Sequence, residues 1–488
     1  MSISISASML YNLVQCPHRL YLDLYEDPGR RDPESRFVQL LWERGTDYEK
    51  QVIQKLTIPY TDLSAFRDDE KERRTQEALA RGAKLIYSGR IRSENLVGEP
   101  DILRLDDNGA YVAGDIKSGA GEEGEEDDRK PKRNYAVQLA LYTDILEFVG
   151  LSKGRLSFIW DVQGKEIAYD LNAAQGPRTP QSLWDFYRKQ LAEANGIIAR
   201  ANDTLPALGS TCKLCHWRTL CIEQVKRLDD LTQIPELGRS RRDLIAPHLR
   251  TVTALAKADL RATPITGVGT VKLQQFQVRA RLLVDPKAQA FCTLPPSLPE
   301  VGTELFHDIE ADPMRDICYL HGFTERRNGD SSSEKYVPFM AETPTPEDEE
   351  KAFAGAWDYV RSRRPCAIYF YSKYERTWWR KLQKRYPSVA TEADIADMFE
   401  SATDLYFDVV QKCTEWPTYD HSIKTLASHL GFKWRDVSPS GADSIEWYHR
   451  WIESGDPKIR QRILDYNEDD CLATRVLLDG IRKLKVNP

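Results

Sequence analysis

"AGDIKSGA", residues 113–120, leads a short apolar approach up to an acid, Asp115, then one residue, then Lys117 and a run of small residues. Successive side chains of a strand alternate between its faces, so Asp115 and Lys117 project from one side, just before a flexible turn. An acid and a lysine so placed are most often a surface ion pair. The neighbouring sequence points elsewhere. Upstream, "GEPD" (98–101) sets Asp101 at the start of another strand, and downstream "QLALY" (138–142) sets Gln138 and Tyr142 four apart, on one face of an amphipathic helix. Two strand acids and a lysine are what metal-assisted phosphodiester cleavage requires. Carboxylates hold Mg²⁺ or Mn²⁺ through hard oxygen ligands, the ions activate water, and the lysine orients the nucleophile or stabilises the pentacovalent state.

Size and composition leave room for this. A chain of 488 residues holds two to four domains, and 29% charged with 41% hydrophobic residues is ordinary for a globular protein. No run approaches the roughly 18 apolar residues of a membrane span. The start, "MSISISASMLYNLVQC", lacks the basic region and long apolar core of a signal peptide. The expectation is a cytoplasmic protein without membrane contact. A net charge of −7 gives no global pull on nucleic acid, but "SGRIRSENLVG" (88–98), "RKPKR" (129–133) and "GRSRRD" (238–243) supply local cations, on a groove or simply as solvated surface.

The pattern along the chain places these motifs. Residues 7–60 read as helical and 83–118 as short strands. A charged loop follows at 121–133, then a helix ("NYAVQLALYTDILEFVG"), a strand ("GRLSFIWDV") and a long helix ("PQSLWDFYRKQLAEANGIIARAN"). This first part resembles the PD-(D/E)XK nucleases, in particular the RecB-like group, through "PD" at 100–101, "DIK" at 115–117 and the Q-x-x-x-Y element at 138–142. The resemblance implies Asp101, Asp115 and the Ile116 carbonyl as metal ligands, Lys117 as catalytic, and Gln138 and Tyr142 as contacts to the substrate strand. The group also carries an upstream G-x-x-x-H; here "RGTDYE" (44–49) has Glu49 where the histidine would stand, still a good oxygen ligand for Mg²⁺.

Nine cysteines in an intracellular chain argue for metal binding or free thiols. Cys292, Cys318, Cys366, Cys413 and Cys471 are scattered singly among apolar residues and read as core. Cys212, Cys215 and Cys221 form C-x2-C-x5-C; at nine cysteines in 488 residues, two more at fixed offsets arise by chance in roughly 3 of 10,000 cases. Zinc or an iron–sulfur cluster remains. Iron–sulfur members of the RecB-like group, the AddB-type nucleases and the cluster-bearing CRISPR-adaptation nucleases, take one cysteine before the nuclease core and three after it. "YNLVQCPHRLYLD" (11–23) puts Cys16 in the first place. The resemblance implies a [4Fe–4S] cluster on Cys16, Cys212, Cys215 and Cys221, stapling the two ends of the domain, with His18 and His216 as bystanders.

Beyond it, "ITGVGTVKLQQFQVRARLL" (265–283) resembles a helix-hairpin-helix motif, with "LTQIPELGRSRRDLIAPHL" (231–249) as a weaker copy. Backbone N–H groups at Gly267 and Gly269, with Lys272, would then hold a phosphate without reading sequence; a plain helical linker is the other reading. A proline-rich linker at about 293–304 precedes a second α/β pattern: strands 304–312 and 316–325, a polar turn over 326–334, a helix over 347–364, the strand "CAIYFYS" and helices to the end. "FHDIEADP" (306–313) puts Asp308 and Glu310 on one strand face, and "DYNEDDC" (465–471) puts Tyr466 and Asp470 four apart on a helix. This resembles an RNase H-like, DEDD-type 3′–5′ exonuclease, whose four acids bind two ions about 3.5–4 Å apart while a tyrosine positions water. The resemblance implies Asp308, Glu310, Glu375, Tyr466 and Asp470, with Asp404 the alternative to Glu375 and Asp469 the alternative to Asp470.

The expected architecture is therefore multidomain α/β. Residues 1–224 form a restriction-endonuclease-like core with an iron–sulfur staple, 225–292 a helix-hairpin-helix-like region, and 300–488 an RNase H-like exonuclease domain. The expected function is Mg²⁺- or Mn²⁺-dependent cleavage of DNA, on single strands or ends, in repair, recombination or defence. The alternatives are RNA processing by the last domain, and a non-catalytic scaffold holding nucleic acid for a helicase. No G-x-x-x-x-G-K-[ST] motif occurs, so unwinding is expected from a partner.

Overall fold

The computed structural model describes residues 3–124, 129–176, 179–437 and 440–487. Two compact units divide the chain: Met1–Pro206 with Ser210–Cys221, and Ala207–Gly209 with Ile222–Pro488. Both are mixed α/β.

In the first unit, α1 (Ala7–Gln15) starts where the Ser6 hydroxyl accepts the Met9 N–H, and α2 (Pro17–Tyr25) starts with proline at its first position. Helix start and helix stop meet at Cys16, which holds that thiol at a fixed corner. Helix α3 (Arg36–Gln54) carries Glu49. Six strands follow: β1 (Thr61–Asp62), β2 (Leu85–Tyr87), β3 (Ile102–Leu105), β4 (Tyr111–Ile116), β5 (Leu156–Trp160) and β6 (Glu166–Asp170), in spatial order β6-β5-β4-β3-β2-β1. The β3–β4 pair is antiparallel with Ile102 opposite Gly114, and this register brings Asp101 beside Asp115. Gly114 is required there, because a Cβ would lie 2.3 Å from the Phe158 ring on β5. Helix α4 (Arg133–Phe148) buries Val137, Leu139, Leu141 and Ile145 in the main core cluster of the unit. The segment expected as a charged loop pairs Glu122–Glu123 with Lys130–Pro131; residues 125–128 lie outside the described residues.

The second unit begins with short helices α5 (Gly238–Ile245), α6 (Val252–Lys257) and α7 (Thr270–Val284), closed around Leu237, Leu255 and Phe276. Gly267, in the turn before α7, takes a left-handed φ of 86°, which suits glycine. The buried Arg279 of α7 donates to Glu415 Oε2 at 2.7 Å, to Glu236 Oε2 at 2.8 Å and to the Pro235 carbonyl at 2.9 Å. The sheet comprises β7 (Thr303–Asp312), β8 (Ile317–Arg327), β9 (Asp330–Met340), β10 (Ala367–Phe370) and β11 (Thr403–Asp404), in order β9-β8-β7-β10-β11. Helices α8 (Pro346–Arg363), α9 (Tyr374–Arg385), α10 (Ile423–His429), α11 (Gly441–Ser454) and α12 (Pro457–Ile481) accompany it, and α12 packs across β7 and β8.

One sequence expectation is corrected here. The polar turn over 326–334 is only two residues long, Asn328 and Gly329, with left-handed φ of 51° and 68°. The rest belongs to β9, which pairs with β8 from Asp330 onward. Asn-Gly is the usual two-residue hairpin turn, and its strand is exposed and serine-rich because it lies at the sheet edge.

Strand β8 also carries an acid whose environment sets a pH dependence. Glu325 is buried; its carboxylate accepts from Tyr359 (2.6 Å), Arg363 (2.7 Å) and Arg327 (2.9 Å). Burial alone would raise this carboxyl, but the three donors outweigh it and bring it down to about 2. A carboxyl depressed on folding stabilises the fold above its unfolded value near 4.5, and that contribution fades as the pH falls toward about 2. Discounted for solvent around Arg327 and Arg363, the contribution is on the order of 1–2 kcal/mol at neutral pH. Glu325→Gln is expected to lose it and to flatten the stability–pH curve between about pH 4.5 and 2, measured by urea unfolding; an unchanged acid limb counts against the assignment.

Candidate metal centres

In the first unit, backbone N–H groups tie the carboxylates of Asp101 and Asp115 to the adjoining strands. Ile116 N–H donates to Asp101 Oδ2 at 2.8 Å, and Asp101 N–H donates to Asp115 Oδ1 at 3.3 Å. Lys117 Nζ lies 2.8 Å from Asp115 Oδ2 and 5.5 Å from the centre of the Tyr135 ring. Burial raises the Asp101 carboxyl, and Asp115 and Glu49 raise it further, while Lys117 opposes them. Burial would pull the Lys117 ammonium down, but Asp115 and Asp101 hold it above its usual range. Glu49 accepts from the Tyr87 hydroxyl at 2.8 Å, and its effect on Asp101 places it at the same cluster.

The helix pair divides. Gln138 Oε1 is buried with no hydrogen-bond partner among the described residues, an acceptor left for something else. Tyr142 is buried, its hydroxyl 3.4 Å from the Glu99 carbonyl, and its phenol is raised by burial first and then by Asp115 and Asp101. A Cβ at Gly98 would meet its ring at 2.6 Å, so Tyr142 packs directly on the Gly98 backbone. The Ile116 side chain packs beside Ile53 and Ile102, leaving only its backbone to the site.

Three of the four cysteines are electrostatic neighbours. Burial pushes the Cys215 thiol up, the Trp217 N–H and Arg19 oppose this, and the nearby thiols of Cys212 and Cys16 add to it. Cys221 shares an apolar cluster with Leu22, Trp217 and Cys215. Asp23 of α2 clamps the two chain segments, accepting from Trp217 Nε1 at 2.9 Å with His216 Nε2 at 2.8 Å, and Asp32 N–H donates to the His216 carbonyl at 2.7 Å. No cysteine of the described residues is in a disulfide.

In the second unit, Asp308 and Glu310 of β7 and Asp470 of α12 each offer an oxygen, and the three atoms lie within 4.8 Å of one another. Burial raises all three carboxyls. For Asp308 and Glu310 their acidic neighbours raise them further, whereas at Asp470 the Lys424 ammonium and the Trp434 N–H pull the other way. The Trp434 bond to Asp470 Oδ1 is 2.7 Å long. Asp469, one residue away, is taken instead by Arg435 at 2.8 and 2.9 Å. Glu375, at the start of α9, is near enough for the charges of Asp404, Asp470 and Glu310 to act on it; burial raises it, and its Oε2 has no partner among the described residues. Asp404 Oδ1 instead accepts N–H groups of Ser372, Tyr406 and Phe407 at 3.0 to 3.1 Å, a capping role. The Tyr466 hydroxyl accepts from Lys424 Nζ at 2.9 Å.

Comparison with known families follows this division. The PD-(D/E)XK nuclease superfamily matches residues 15–222, and the RNase_H superfamily matches residues 305–481. The chain carries two nuclease-superfamily domains. A search of curated proteins found no match. A solved structure described as the crystal structure of SSO0001 aligns over 46% of this chain and 88% of its own, at 15% identity and a TM-score of 0.23.

In both nuclease-superfamily domains the donors suit a hard divalent ion. They are oxygen atoms, clustered and partly desolvated, with negative charge that local cations do not balance. Sequence reasoning missed several neighbours: Tyr87 and Tyr135 in the PD-(D/E)XK domain, and Lys424, Trp434, Ser444 and Asn467 in the RNase H-like domain. Asn467 sits inside the quoted "DYNEDDC", but Lys424 and Trp434 carry no spacing signal. Lys272, expected at a phosphate, is held by Glu236 at 3.3 Å and Gln275 at 2.8 Å. No helix of the described residues is long and apolar enough to cross a membrane.

Proposed function

We propose that the chain is a two-site, metal-dependent deoxyribonuclease acting on single strands or ends, in repair, recombination or defence. The observation carrying this reading is the convergence of Asp308, Glu310 and Asp470 from elements some 160 residues apart, within 4.8 Å. In the other domain two acids, Asp101 and Asp115, stand with the cation Lys117. A divalent ion at each site would activate water and neutralise charge on the scissile phosphate. Asp101 and Asp115, with Glu49 and the Ile116 carbonyl, would hold it in the first domain, and the three acids with Glu375 in the second. Lys117, kept charged by its two acids, would donate hydrogen bonds to the phosphate oxygens. Gln138 would receive a donor from the strand. Tyr466 would orient the attacking water, with Lys424 holding its oxygen in place. Gly267, Gly269 and Lys272 would contact a phosphate along the way, once Lys272 leaves Glu236.

The test is digestion of a single-stranded DNA, its duplex and an RNA of the same sequence, each with Mg²⁺, Mn²⁺ or chelator. Chelator-sensitive loss of the single-stranded DNA ahead of the RNA is expected. Cleavage of RNA alone would move the reading to RNA processing, and no metal-dependent cleavage of any strand would leave a nucleic-acid scaffold for a helicase.

Cys16, Cys212, Cys215 and Cys221 are proposed to hold a [4Fe–4S] cluster, supported by their approach from the two ends of the domain. Such a link acts mainly on the unfolded chain, as a long-loop cross-link does. Protein purified without oxygen is expected to be brown, with broad visible absorption that Cys16→Ser abolishes. Colourless protein with stoichiometric zinc would overturn the cluster.

A further inference from the structure

Asn467 is fully buried, one residue after Tyr466 on α12. Its Nδ2 donates to Asp308 Oδ2 at 2.7 Å, and its Oδ1 accepts from the Tyr336 hydroxyl of β9 at 2.8 Å. The orientation of this amide follows once Asp308 is ionised, the form that would hold a cation. A carboxylate only accepts, so the NH₂ end must face Asp308 and the oxygen must face the phenol. Space for it is provided by Gly322, which stands opposite Asp308 in the β7–β8 register. A Cβ at Gly322 would fall 1.7 Å from Asn467 Oδ1 and 3.0 Å from the Tyr336 ring. Three elements thus meet at one side-chain amide, and Asn467 also lies within hydrogen-bond reach of Glu310.

We propose that Asn467 is a positioning residue for the cation site. Held by Tyr336, it occupies one oxygen of Asp308, so that the other oxygen is presented to a divalent cation in a single orientation. The proposal rests on the reading of Asp308, Glu310 and Asp470 as ligands. A carboxylate free to rotate would spread its lone pairs over many directions, and outer hydrogen bonds of this kind typically change metal affinity about 10- to 100-fold.

The experiment is Mn²⁺ binding by electron paramagnetic resonance on the full chain without nucleic acid, in an Asp101→Asn, Asp115→Asn background that silences the first domain. Tyr336→Phe keeps the ring and removes only the hydroxyl; it is expected to weaken Mn²⁺ binding about 10-fold. Asn467→Ala should weaken it by about 10- to 100-fold, and the double variant no further than Asn467→Ala alone, because both act through one amide. Lowered melting temperatures with unchanged Mn²⁺ affinity would mean a purely structural amide and overturn the proposal. Should Asn467→Ala fail to fold, Tyr336→Phe decides by itself: unchanged affinity overturns the proposal. Asp470→Asn separates the two layers. If it leaves Mn²⁺ binding intact, the ligand reading fails; if it abolishes binding while Tyr336→Phe and Asn467→Ala bind like the parent, positioning alone fails.

Discussion

Lys117→Ala is expected to reduce cleavage by the first domain about 10³-fold, the loss typical when one fixed donor to a developing negative charge is removed. The measurement uses Asp470→Asn as background, so that the second domain does not mask the result. Lys117 is the cation nearest the two strand acids, 2.8 Å from Asp115, and nothing else described at that cluster offers a mobile ammonium. The loss should fall on kcat more than on KM, because the ammonium acts on charge that builds only as the phosphate reacts. Lys117→Arg restores the charge but not its position and should recover little. Removing the lysine also leaves two partly buried acids without their cation, so melting curves with Mg²⁺ present must accompany the rates. Folded Lys117→Ala protein with undiminished activity would remove the first domain from the catalytic account.

Asp470→Asn in a Lys117→Ala background is expected to lower the remaining activity by about 10³-fold as well, with loss of Mn²⁺ binding at the triad. The substitution is isosteric and leaves an oxygen able to accept the Trp434 N–H now 2.7 Å from Asp470. What it removes is one of three carboxyl groups whose oxygens lie within 4.8 Å. Asp469→Asn is the matched control, since that neighbour is held by Arg435 and should change the rate little. If Lys117→Ala alone already abolishes all cleavage, the RNase H-like domain binds nucleic acid without cutting it.

Much of each site was legible in residue types and spacing. Asp101 and Asp115 were readable because a strand alternates its faces and each acid sits at a strand end. Asp308 and Glu310 obeyed the same period of two. Cys16 and the cluster at 212–221 were readable because cysteine is rare enough for three at short offsets to stand out. The hairpin at Asn328–Gly329 carried its own turn signal and was still read as a longer loop, because β9 lies at the sheet edge and its serines hide the strand pattern.

What the amino-acid order determined by itself was therefore local: which acids share a strand face, which helix positions align, where a chain corner must fall. Which of two adjacent acids enters the site was decided only in three dimensions. A helix turns by about 100° per residue, so Asp469 and Asp470 point in different directions, and the docking of α12 on β7 sends Asp470 toward Asp308 and Glu310 and Asp469 to Arg435. Glu375 and Asp404 differ in another way: they are neighbours, but one oxygen of Asp404 is taken by three backbone N–H groups, whereas Glu375 Oε2 has no partner among the described residues. Lys424 and Asn467 become neighbours of Asp308 only through contacts between residues more than a hundred positions apart. Periodicity reports the direction in which a side chain leaves its own element; the partner it meets is set by the packing of elements against each other.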